Sequence, residues 1–146
     1  MDQVAVRKCS SEDLDQVTRL ERASFKFPYD RSTFLHFLQS SSSSFLVCEA
    51  EGKIVGYVVC SVMGESSATL VSIAVSSEHR RKGVGSLLLQ AALANLPSGV
   101  RRVDLQVAKS NSGAINFYGH HGFEVKGTVP GYYEDGEDAL LMSKRL

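Results

Sequence analysis

The feature that most constrains the fold is a passage from strand to helix at residues 70–96. The run "LVSIAV" is apolar and β-branched, and from Val84 onward the apolar residues recur at helical spacing. Between them lies "SSEHRRKGVG", with its arginines and lysine at residues 80–82. The first amides of a helix lack intrahelical partners and lie at the positive end of the helix dipole, so they can bind phosphate. We therefore predict an anion site at the start of this helix.

The spacing within this turn excludes two common phosphate-binding motifs. A P-loop needs G-x-x-x-x-G-K-S/T, and a dinucleotide-binding turn needs G-x-G-x-x-G with an acidic residue about 20 positions further on. Neither is present; the chain has V-x-x-x-x-R-x-x-G-x-G, from Val75 through Arg80 to Gly83 and Gly85. The glycines let the backbone approach a ligand closely. From this turn alone, a basic segment that only caps a helix remains an alternative.

Length and charge limit the class of protein. The chain has 146 residues, with sixteen basic and sixteen acidic side chains that cancel. This length suits one domain, residues 1–146, and the zero net charge argues against nucleic-acid or membrane partners. There is no signal-peptide core and no run of about 20 apolar residues that could span a bilayer. Three widely spaced cysteines favour a reducing compartment. We expect a cytoplasmic monomer or weak dimer.

The first half of the chain predicts two helices and a hairpin after a short strand at 4–7. The first helix begins at Ser10 or Ser11 and ends near Phe25; a loop at 25–31 contains Pro28, and Asp30 can cap the second helix. We interpret the five serines at 40–44 as a flexible connector. Two β-branched runs joined at 51–53 predict a hairpin, and a third strand covers 68–75.

The second half alternates between helix and strand. Helical spacing extends over 84–96, strand alternation over 100–107, and a further helix from Asn111 through His120, after which Gly122 suits a left-handed position. Two strands close the chain. The order β, α, α, β, β, β, α, β, α, β, β predicts an α/β fold, a mixed sheet of about seven strands with about four helices on both faces.

Four segments together carry a resemblance to a known family. The turn from Val75 to Gly85 resembles the coenzyme A pyrophosphate loop of the GNAT N-acetyltransferases, and "NSGAINFYGHHGF" at 111–123 resembles their N-x-x-A-x-x-x-Y-x-x-x-G-F segment. "ERASFKFPYDRSTF" at 21–34 and "GYYEDGEDALLM" at 131–142 are similar to the ribosomal-protein-alanine and archaeal N-terminal acetyltransferase branch. The resemblance covers essentially the whole chain. It implies a GNAT fold and acetyl transfer from acetyl-CoA to the α-amine of a protein or peptide N-terminus, by direct attack in a ternary complex.

The resemblance also implies a set of acetyl-CoA contacts. In the family, the pantetheine pairs with the backbone at the end of the strand before the turn. The amides between Arg81 and Ser86 would bind the pyrophosphate, and Arg80 would stabilise the turn. Asn111 can be a helix N-cap, a contact to the pantetheine arm, or both. The full cofactor-binding set is Ile73, Ala74, Val75, Arg80, Arg81, Lys82, Gly83, Val84, Gly85, Ser86, Asn111, Ala114 and Tyr118.

The implied catalytic positions are Tyr118, Gln106 and Thr69. The resemblance makes the Tyr118 hydroxyl a general acid that protonates the leaving thiolate, although the ring could instead be core. Related enzymes carry Glu or His at the position of Gln106, and His or Tyr at the position of Thr69. Neither glutamine nor threonine can take a proton at neutral pH. These two could still hold an ordered water. Glu21, Glu49 and Asp104 remain as more distant candidate bases.

The implied peptide-binding residues lie in two loops: Phe27, Pro28, Tyr29, Tyr132 and Tyr133. Tyrosine can pack against a peptide backbone and hydrogen-bond to it, although ordinary half-buried packing is an alternative. We interpret "EDGED" at 134–138 as a solvated hairpin turn. His120 and His121 are adjacent on a helix and point in different directions, so we predict no metal site.

The missing base bears on the choice of substrate. An α-amine with a pKa near 8 is about one-tenth neutral at pH 7, whereas a lysine with a pKa near 10.4 is neutral in about one molecule in 2,500. A site without a base therefore favours the α-amine. Acetylation of a small amine or lysine remains an alternative, as does a non-catalytic acyl-CoA-binding regulatory subunit.

Overall fold

The computed structural model describes residues 3–146 and confirms the predicted order of elements. The strands are β1 (Val4–Lys8), β2 (Ser43–Ala50), β3 (Lys53–Met63), β4 (Ser67–Val75), β5 (Arg102–Ala108), β6 (Glu124–Val129) and β7 (Ala139–Arg145). The α-helices are α1 (Leu14–Ser24), α2 (Arg31–Gln39), α3 (Val84–Ala94) and α4 (Ser112–His120). Short 3-10 helices cover Ser11–Asp13 and Ser77–His79. None of the helices in the described part of the chain is long and apolar enough to cross a membrane.

The strands form one mixed sheet in the order β1-β2-β3-β4-β5-β7-β6. Pairs β1/β2, β2/β3, β5/β7 and β6/β7 are antiparallel, and β4 pairs with β5 in parallel, from Ser67 opposite Arg102 to Thr69 opposite Asp104. The predicted α/β class with seven strands and four α-helices is therefore confirmed. Two compact units are distinguishable, the first formed by residues 3–62 with Leu70–Pro97 and the second by Met63–Thr69 with Ser98–Leu146. The single domain over 1–146 stays a prediction.

The core of the first unit is built on the apolar stripe of α1 and on the long apolar runs of β2 and β3. Leu14 and Val17 of α1 are fully buried, three positions apart as an amphipathic helix requires. Phe34 of α2 is buried with its ring centroid 5.6 Å from that of Tyr57 and 5.9 Å from that of Phe45. This aromatic cluster packs both helices against the sheet.

Gly56 sets how closely α3 approaches the strands of the first unit. A Cβ at this position would lie 2.8 Å from Leu88 Cδ1 of α3 and 3.1 Å from the carbonyl oxygen of Ala74 in β4. Real Cβ atoms do not approach so closely, so any larger residue would push the helix away. The glycine thus permits tight packing of α3 against β3 and β4.

The second unit is organised around β5. Its buried residues Val103, Leu105 and Val107 alternate with exposed or half-buried ones, as predicted for this strand. Gly122 has a φ of +89°, which confirms the left-handed position expected after α4. Beside it, Lys144 Nζ donates to the carbonyl oxygen of His121 at 2.6 Å and so satisfies one free acceptor at the helix end.

One local prediction was wrong, that of a flexible connector at 40–44. Ser43 and Ser44 do not belong to a flexible connector but to β2, opposite Ser61 and Cys60, because pairing with β3 outweighs the low strand propensity of serine. Within the predicted segment between β4 and α3, residues 77–79 form a short 3-10 helix. Cys48 and Cys60, which lie within the apolar runs of β2 and β3, are buried.

Candidate active site

The basic turn is held in shape by its own side chains. Arg80 Nε donates to the carbonyl oxygen of Val75, the last residue of β4, at 3.2 Å. The Ser76 hydroxyl and His79 Nδ1 lie 2.8 Å apart. Arg81 and Gly83 have φ values of +62° and +83°, so the backbone is left-handed at both. Left-handed residues alternating with ordinary ones turn successive N–H groups toward one side, which is how backbone anion sites are built.

The N-terminus of α3 lacks the side-chain cap that α2 and α4 have. Asp30 accepts from the Thr33 amide at 2.9 Å in α2, and Asn111 accepts from the Ala114 amide at 3.2 Å in α4. The N-cap of α3 is Gly83, which has no side chain to accept a hydrogen bond. The first turn of α3 thus suits an external acceptor, and the exposed Arg80, Arg81 and Lys82 add positive charge.

The structure confirms that Asn111 is an N-cap, one of the two roles open to it from sequence. Tyr118, seven residues on in the same helix, is half-buried, with its ring centroid 5.5 Å from Phe117 and 5.7 Å from Phe123. Both neighbours meet the ring edge-on. The ring is therefore packed on one side by Phe117 of its own helix and by Phe123, three residues past the end of that helix, while part of it stays accessible.

A cleft of about 600 Å³ in the second unit brings the two expected base positions together. Its lining residues come from the start of β4 and from β5, β6 and β7: Thr69, Arg102, Asp104, Leu105, Gln106, Lys126, Leu141, Met142 and Ser143. Gln106 and Asp104 lie two residues apart on β5, and Asp104 is the register partner of Thr69. The side chains of Thr69, Asp104 and Gln106 thus make this part of the cleft polar.

Asp104 is the acidic member of this cleft, and its carboxylate is already engaged. Arg102 Nε donates to both of its oxygens at 3.0 Å, and the Ser143 hydroxyl donates to Oδ1. Of the other two candidate bases, Glu49 accepts from Arg7 at 3.2 Å and does not line the cleft. Asp104 is therefore the one distant candidate that shares the cleft with Thr69 and Gln106.

Glu21 is a buried residue of α1 whose partners could not be inferred from sequence. It is 2% exposed, and its Oε1 accepts from the hydroxyls of Tyr57 and Ser72, the latter at 2.8 Å. Its Oε2 accepts from the Tyr29 amide at 2.9 Å. The spacing of the buried face of α1, at residues 14, 17, 18 and 21, was the sequence feature that could have revealed its burial.

The predicted peptide-binding residues of the first unit lie in the segment between α1 and α2. Phe27 and Tyr29 are 37% and 42% exposed, and Pro28 between them is exposed. The Tyr29 ring meets Phe34 and Phe37 edge-on, at centroid distances of 6.1 and 6.2 Å. The segment therefore has an anchored backbone and partly exposed aromatic side chains, which a peptide site requires.

The predicted peptide-binding residues of the second unit lie before β7. Tyr132 is 47% exposed and its ring centroid is 5.0 Å from that of Tyr133. The sequence suggested that the acidic turn at 134–138 is solvated, but two of its carboxylates accept hydrogen bonds from backbone amides. Glu137 Oε2 accepts from the Ser110 amide at 2.7 Å, and Asp138 Oδ1 accepts from the Gly131 amide at 2.9 Å. These carboxylates fix the turn because unpaired amides attract them.

Neither the histidines nor the cysteines suggest further chemistry. Burial lowers the pKa of His121, with smaller contributions from His120 and Lys144, and residues 3–146 hold no cluster of three side chains suited to a metal. Burial raises the pKa of Cys9 and of Cys60 to about 12 and also raises that of Cys48. Protonated thiols are poor nucleophiles, which agrees with acyl transfer without a cysteine intermediate.

Comparison with known proteins places this arrangement in a family. The model of the acetyltransferase (GNAT) family matches residues 14–123. The chain is 34% identical to an N-alpha-acetyltransferase of Sulfurisphaera tokodaii, over 97% of this chain and 92% of that protein. It is 34% identical to a protein of Bacillus subtilis described as a ribosomal protein bS18-alanine N-acetyltransferase, over 94% of this chain and 93% of that protein.

A solved structure extends the likeness to the fold. The crystal structure of Ard1 from Thermoplasma volcanium superposes with a TM-score of 0.92 at 30% identity, and the match covers 98% of this chain and 97% of that one. The chain belongs to the GNAT acetyltransferase family. It is an acetyl-CoA-dependent N-acetyltransferase.

Proposed function

We propose that residues 1–146 form one domain that transfers the acetyl group of acetyl-CoA to the α-amine of protein or peptide N-termini, by direct attack in a ternary complex. The observation that carries this proposal is the near-complete match to two relatives whose names state N-alpha and ribosomal-protein-alanine acetylation. We place the protein in the cytoplasm as a monomer or weak dimer, without a nucleic-acid or membrane partner.

The acetyl-CoA side of the site is assigned to the end of β4 and the start of α3. Acetyl-CoA supplies the thioester that carries the acetyl group. The backbone of Ile73, Ala74 and Val75 pairs with the pantetheine, and the amides from Arg81 to Ser86 hold the diphosphate. Arg80 keeps the turn attached to β4 through its bond to Val75. In α4, Asn111 and Ala114 are assigned to the pantetheine arm.

The proton transfers are divided between Tyr118 and solvent. The Tyr118 hydroxyl donates its proton to the departing sulfur as the tetrahedral intermediate collapses. Thr69 and Gln106 line one cleft and hold a water by their hydroxyl and amide groups, but neither takes a proton. Because about one-tenth of an α-amine with a pKa near 8 is neutral at pH 7, that water and the buffer suffice as acceptors.

The peptide is assigned to the two aromatic segments. Phe27, Pro28 and Tyr29 precede α2, and Tyr132 and Tyr133 precede β7. Support comes from their partial exposure and from the hydrogen bonds that anchor the backbone at Tyr29 and at Ser110. Rigid aromatic side chains lose little conformational entropy on binding, which suits a site for varied peptide backbones.

The test is a thiol-release assay with acetyl-CoA and a library of peptides with free N-termini, run beside Tyr118→Phe. Turnover with these peptides, and its loss in the variant, supports the proposal. Faster turnover with polyamines or with internal lysines in N-terminally blocked peptides would instead show a small-amine or lysine enzyme. Tight coenzyme A binding by calorimetry without thiol release from any peptide would show a regulatory subunit.

A further inference from the structure

A buried carboxylate lies between the two segments of the first unit to which the substrates are assigned. Glu21 is 2% exposed on α1, and its described partners are two hydroxyls and one amide rather than a cation. Those partners lie on three different parts of the chain: Tyr57 on β3, Ser72 on β4, and Tyr29 in the segment 25–30 between α1 and α2. One side chain thus joins four pieces of the fold.

Stability does not explain this arrangement. Removing a carboxylate from water is costly, and an apolar side chain of similar volume often serves a core as well or better. A buried charge that is fully hydrogen-bonded does, however, hold its partners in one geometry, because every alternative leaves a polar group unsatisfied. The role of Glu21 should therefore be sought in what it positions.

The groups that Glu21 holds lie beside the segments assigned to both substrates, the peptide and acetyl-CoA. Oε2 accepts from the amide of Tyr29, which follows Phe27 and Pro28 in the segment assigned to the peptide. Oε1 accepts from the hydroxyl of Ser72 at 2.8 Å, and Ser72 directly precedes the β4 residues assigned to the pantetheine. The Tyr57 hydroxyl, also on Oε1, lies 3.1 Å from that of Ser72 and closes the network.

The backbone of the segment 25–30 is bonded to Glu21 at two points, since the Phe25 amide donates to the Glu21 carbonyl oxygen at 3.0 Å and the Tyr29 amide donates to its carboxylate. Tyr29 is held on its ring by Phe34 and Phe37, but these edge contacts, with centroids more than 6 Å apart, fix a ring more loosely than a hydrogen bond fixes a backbone. The 42% exposure of Tyr29 leaves its side chain facing solvent in part. The hydrogen bond from the Tyr29 amide to Glu21 therefore helps to fix the backbone that carries this exposed aromatic group.

We propose that Glu21 is a positioning residue, which fixes the peptide-binding segment to the acetyl-CoA strand through Tyr29 on one oxygen and Ser72 on the other. It sets affinity for the peptide without touching the reacting atoms. The inference rests on the proposed function for its kinetic effect, but the anchoring of Tyr29 by Glu21 is independent of it.

The experiment compares Glu21→Gln with the wild-type protein. Glutamine keeps the volume but removes the charge: its oxygen can accept from the Tyr29 amide only in a weaker, neutral hydrogen bond, and in the flipped orientation its NH2 group faces that amide. We expect KM for an N-terminal peptide to rise about tenfold, as for loss of a hydrogen bond to a charged group, while KM for acetyl-CoA changes less than about twofold. Exchange of the Tyr29 amide with solvent, followed by NMR, should accelerate.

The matched control is Asp13→Asn, which removes another buried carboxylate of the same unit. Asp13 holds Arg7 and the Ser10 amide and does not contact the segment 25–30. It should lower the melting temperature but leave peptide KM and Tyr29 exchange unchanged. A merely structural role of Glu21 predicts that the two variants behave alike, and that result would overturn the proposal.

Two further outcomes separate the inference from the proposed function. If the wild-type protein acetylates no peptide, the proposed function fails. If the exchange rate of the Tyr29 amide is unchanged in Glu21→Gln, the anchoring of Tyr29 by Glu21 is overturned, whatever the activity. If Glu21→Gln does not fold, Ser72→Ala removes one of the donors on Oε1 and leaves Tyr57 in place. Its peptide KM should rise about threefold, and a wild-type value would overturn the proposal.

Discussion

Arg80 donates through Nε to the carbonyl oxygen of Val75 at 3.2 Å, and this bond ties the basic turn to the last residue of β4. The next two residues, Arg81 and Lys82, are exposed like Arg80, so their charges are screened by solvent and salt. The three consecutive cations of the turn therefore have unequal roles. Arg80 shapes the backbone to which the diphosphate is assigned, and the other two can add screened charge.

Replacement of these residues should separate shape from charge. We expect Arg80→Ala to weaken coenzyme A binding by about tenfold, because the turn loses its attachment to β4. Lys82→Ala should weaken binding by about twofold, and that loss should disappear at about 1 M salt, where surface charges are screened. Calorimetric titration with coenzyme A at low and high salt measures both. Equal losses that vanish together with salt would refute a shaping role for Arg80.

Gly56 should tolerate no larger residue. A Cβ there would meet Leu88 Cδ1 at 2.8 Å and the Ala74 carbonyl at 3.1 Å, so Gly56→Ala should lower the free energy of unfolding by about 1–3 kcal/mol through overpacking. Gly119→Ala is the control, because Gly119 lies within α4 with no atom in the way, and should stabilise by about 0.5–1 kcal/mol. Urea denaturation of both variants checks the pair, and a neutral Gly56→Ala would contradict the packing described here.

The Asp13–Arg7 pair should make stability depend on pH. The hydrogen bonds from Arg7, at 2.8 and 3.0 Å, lower the pKa of Asp13 most, with smaller contributions from Ser10, against the opposing effect of burial. A depressed native pKa means that the stabilisation is complete above the unfolded pKa, near 4, and is lost as pH falls through the native pKa. Asp13→Asn should therefore cost about 1–3 kcal/mol at neutral pH and progressively less below about pH 4.

Denaturation of both proteins across the acid range measures this difference. A gap between wild type and Asp13→Asn that stays constant down to pH values near 2 would show that the charge of Asp13 contributes nothing.

Periodicity and turn chemistry were sufficient to predict the elements, whereas the contacts of buried polar groups were not. Asp30, Asn111 and Gly122 act locally, within a turn of the residues they serve, so their caps could be predicted from spacing. Glu21 is different: its partners Tyr57 and Ser72 are 36 and 51 residues away. Which long-range partner satisfies a buried carboxylate depends on register and packing, and one sequence specifies these only through the whole fold.

The same distinction applies to the candidate site. The basic turn could be predicted because its cations and glycines lie within six residues of sequence, at 80–85. The engagement of Asp104 by Ser143 was not, because β7 returns beside β5 only after 39 residues. Glu137, which holds the Ser110 amide, was likewise interpreted as solvated because nothing near it in sequence reveals that partner.

Tyr118 should matter to turnover and not to cofactor affinity. Tyr118→Phe keeps the ring and its contacts with Phe117 and Phe123 but removes the hydroxyl. If the hydroxyl protonates the leaving thiolate, kcat should fall by about 10² while the Kd for coenzyme A changes less than about twofold. Single-turnover thiol release and calorimetry distinguish the two. A wild-type kcat in Tyr118→Phe would show that the hydroxyl is not the general acid and that Tyr118 contributes only packing.

The pH dependence of turnover tests whether the cleft around Gln106 contains a base. Without one, kcat/KM for an N-terminal peptide should follow the neutral fraction of the α-amine, rising about tenfold per pH unit below about pH 7 and levelling off near pH 8. Gln106→Glu places a carboxylate in the cleft that Thr69 also lines, where it can accept the proton through water. Its rate should exceed that of wild type by the largest factor at low pH, and the rising limb should flatten. Gln106→Ala, which removes the amide without adding a base, should lower the rate and keep the wild-type slope. A plateau in the wild-type profile that already begins near pH 6 would show that a protein group takes the proton, and Asp104, in the same cleft, would be the residue to replace next.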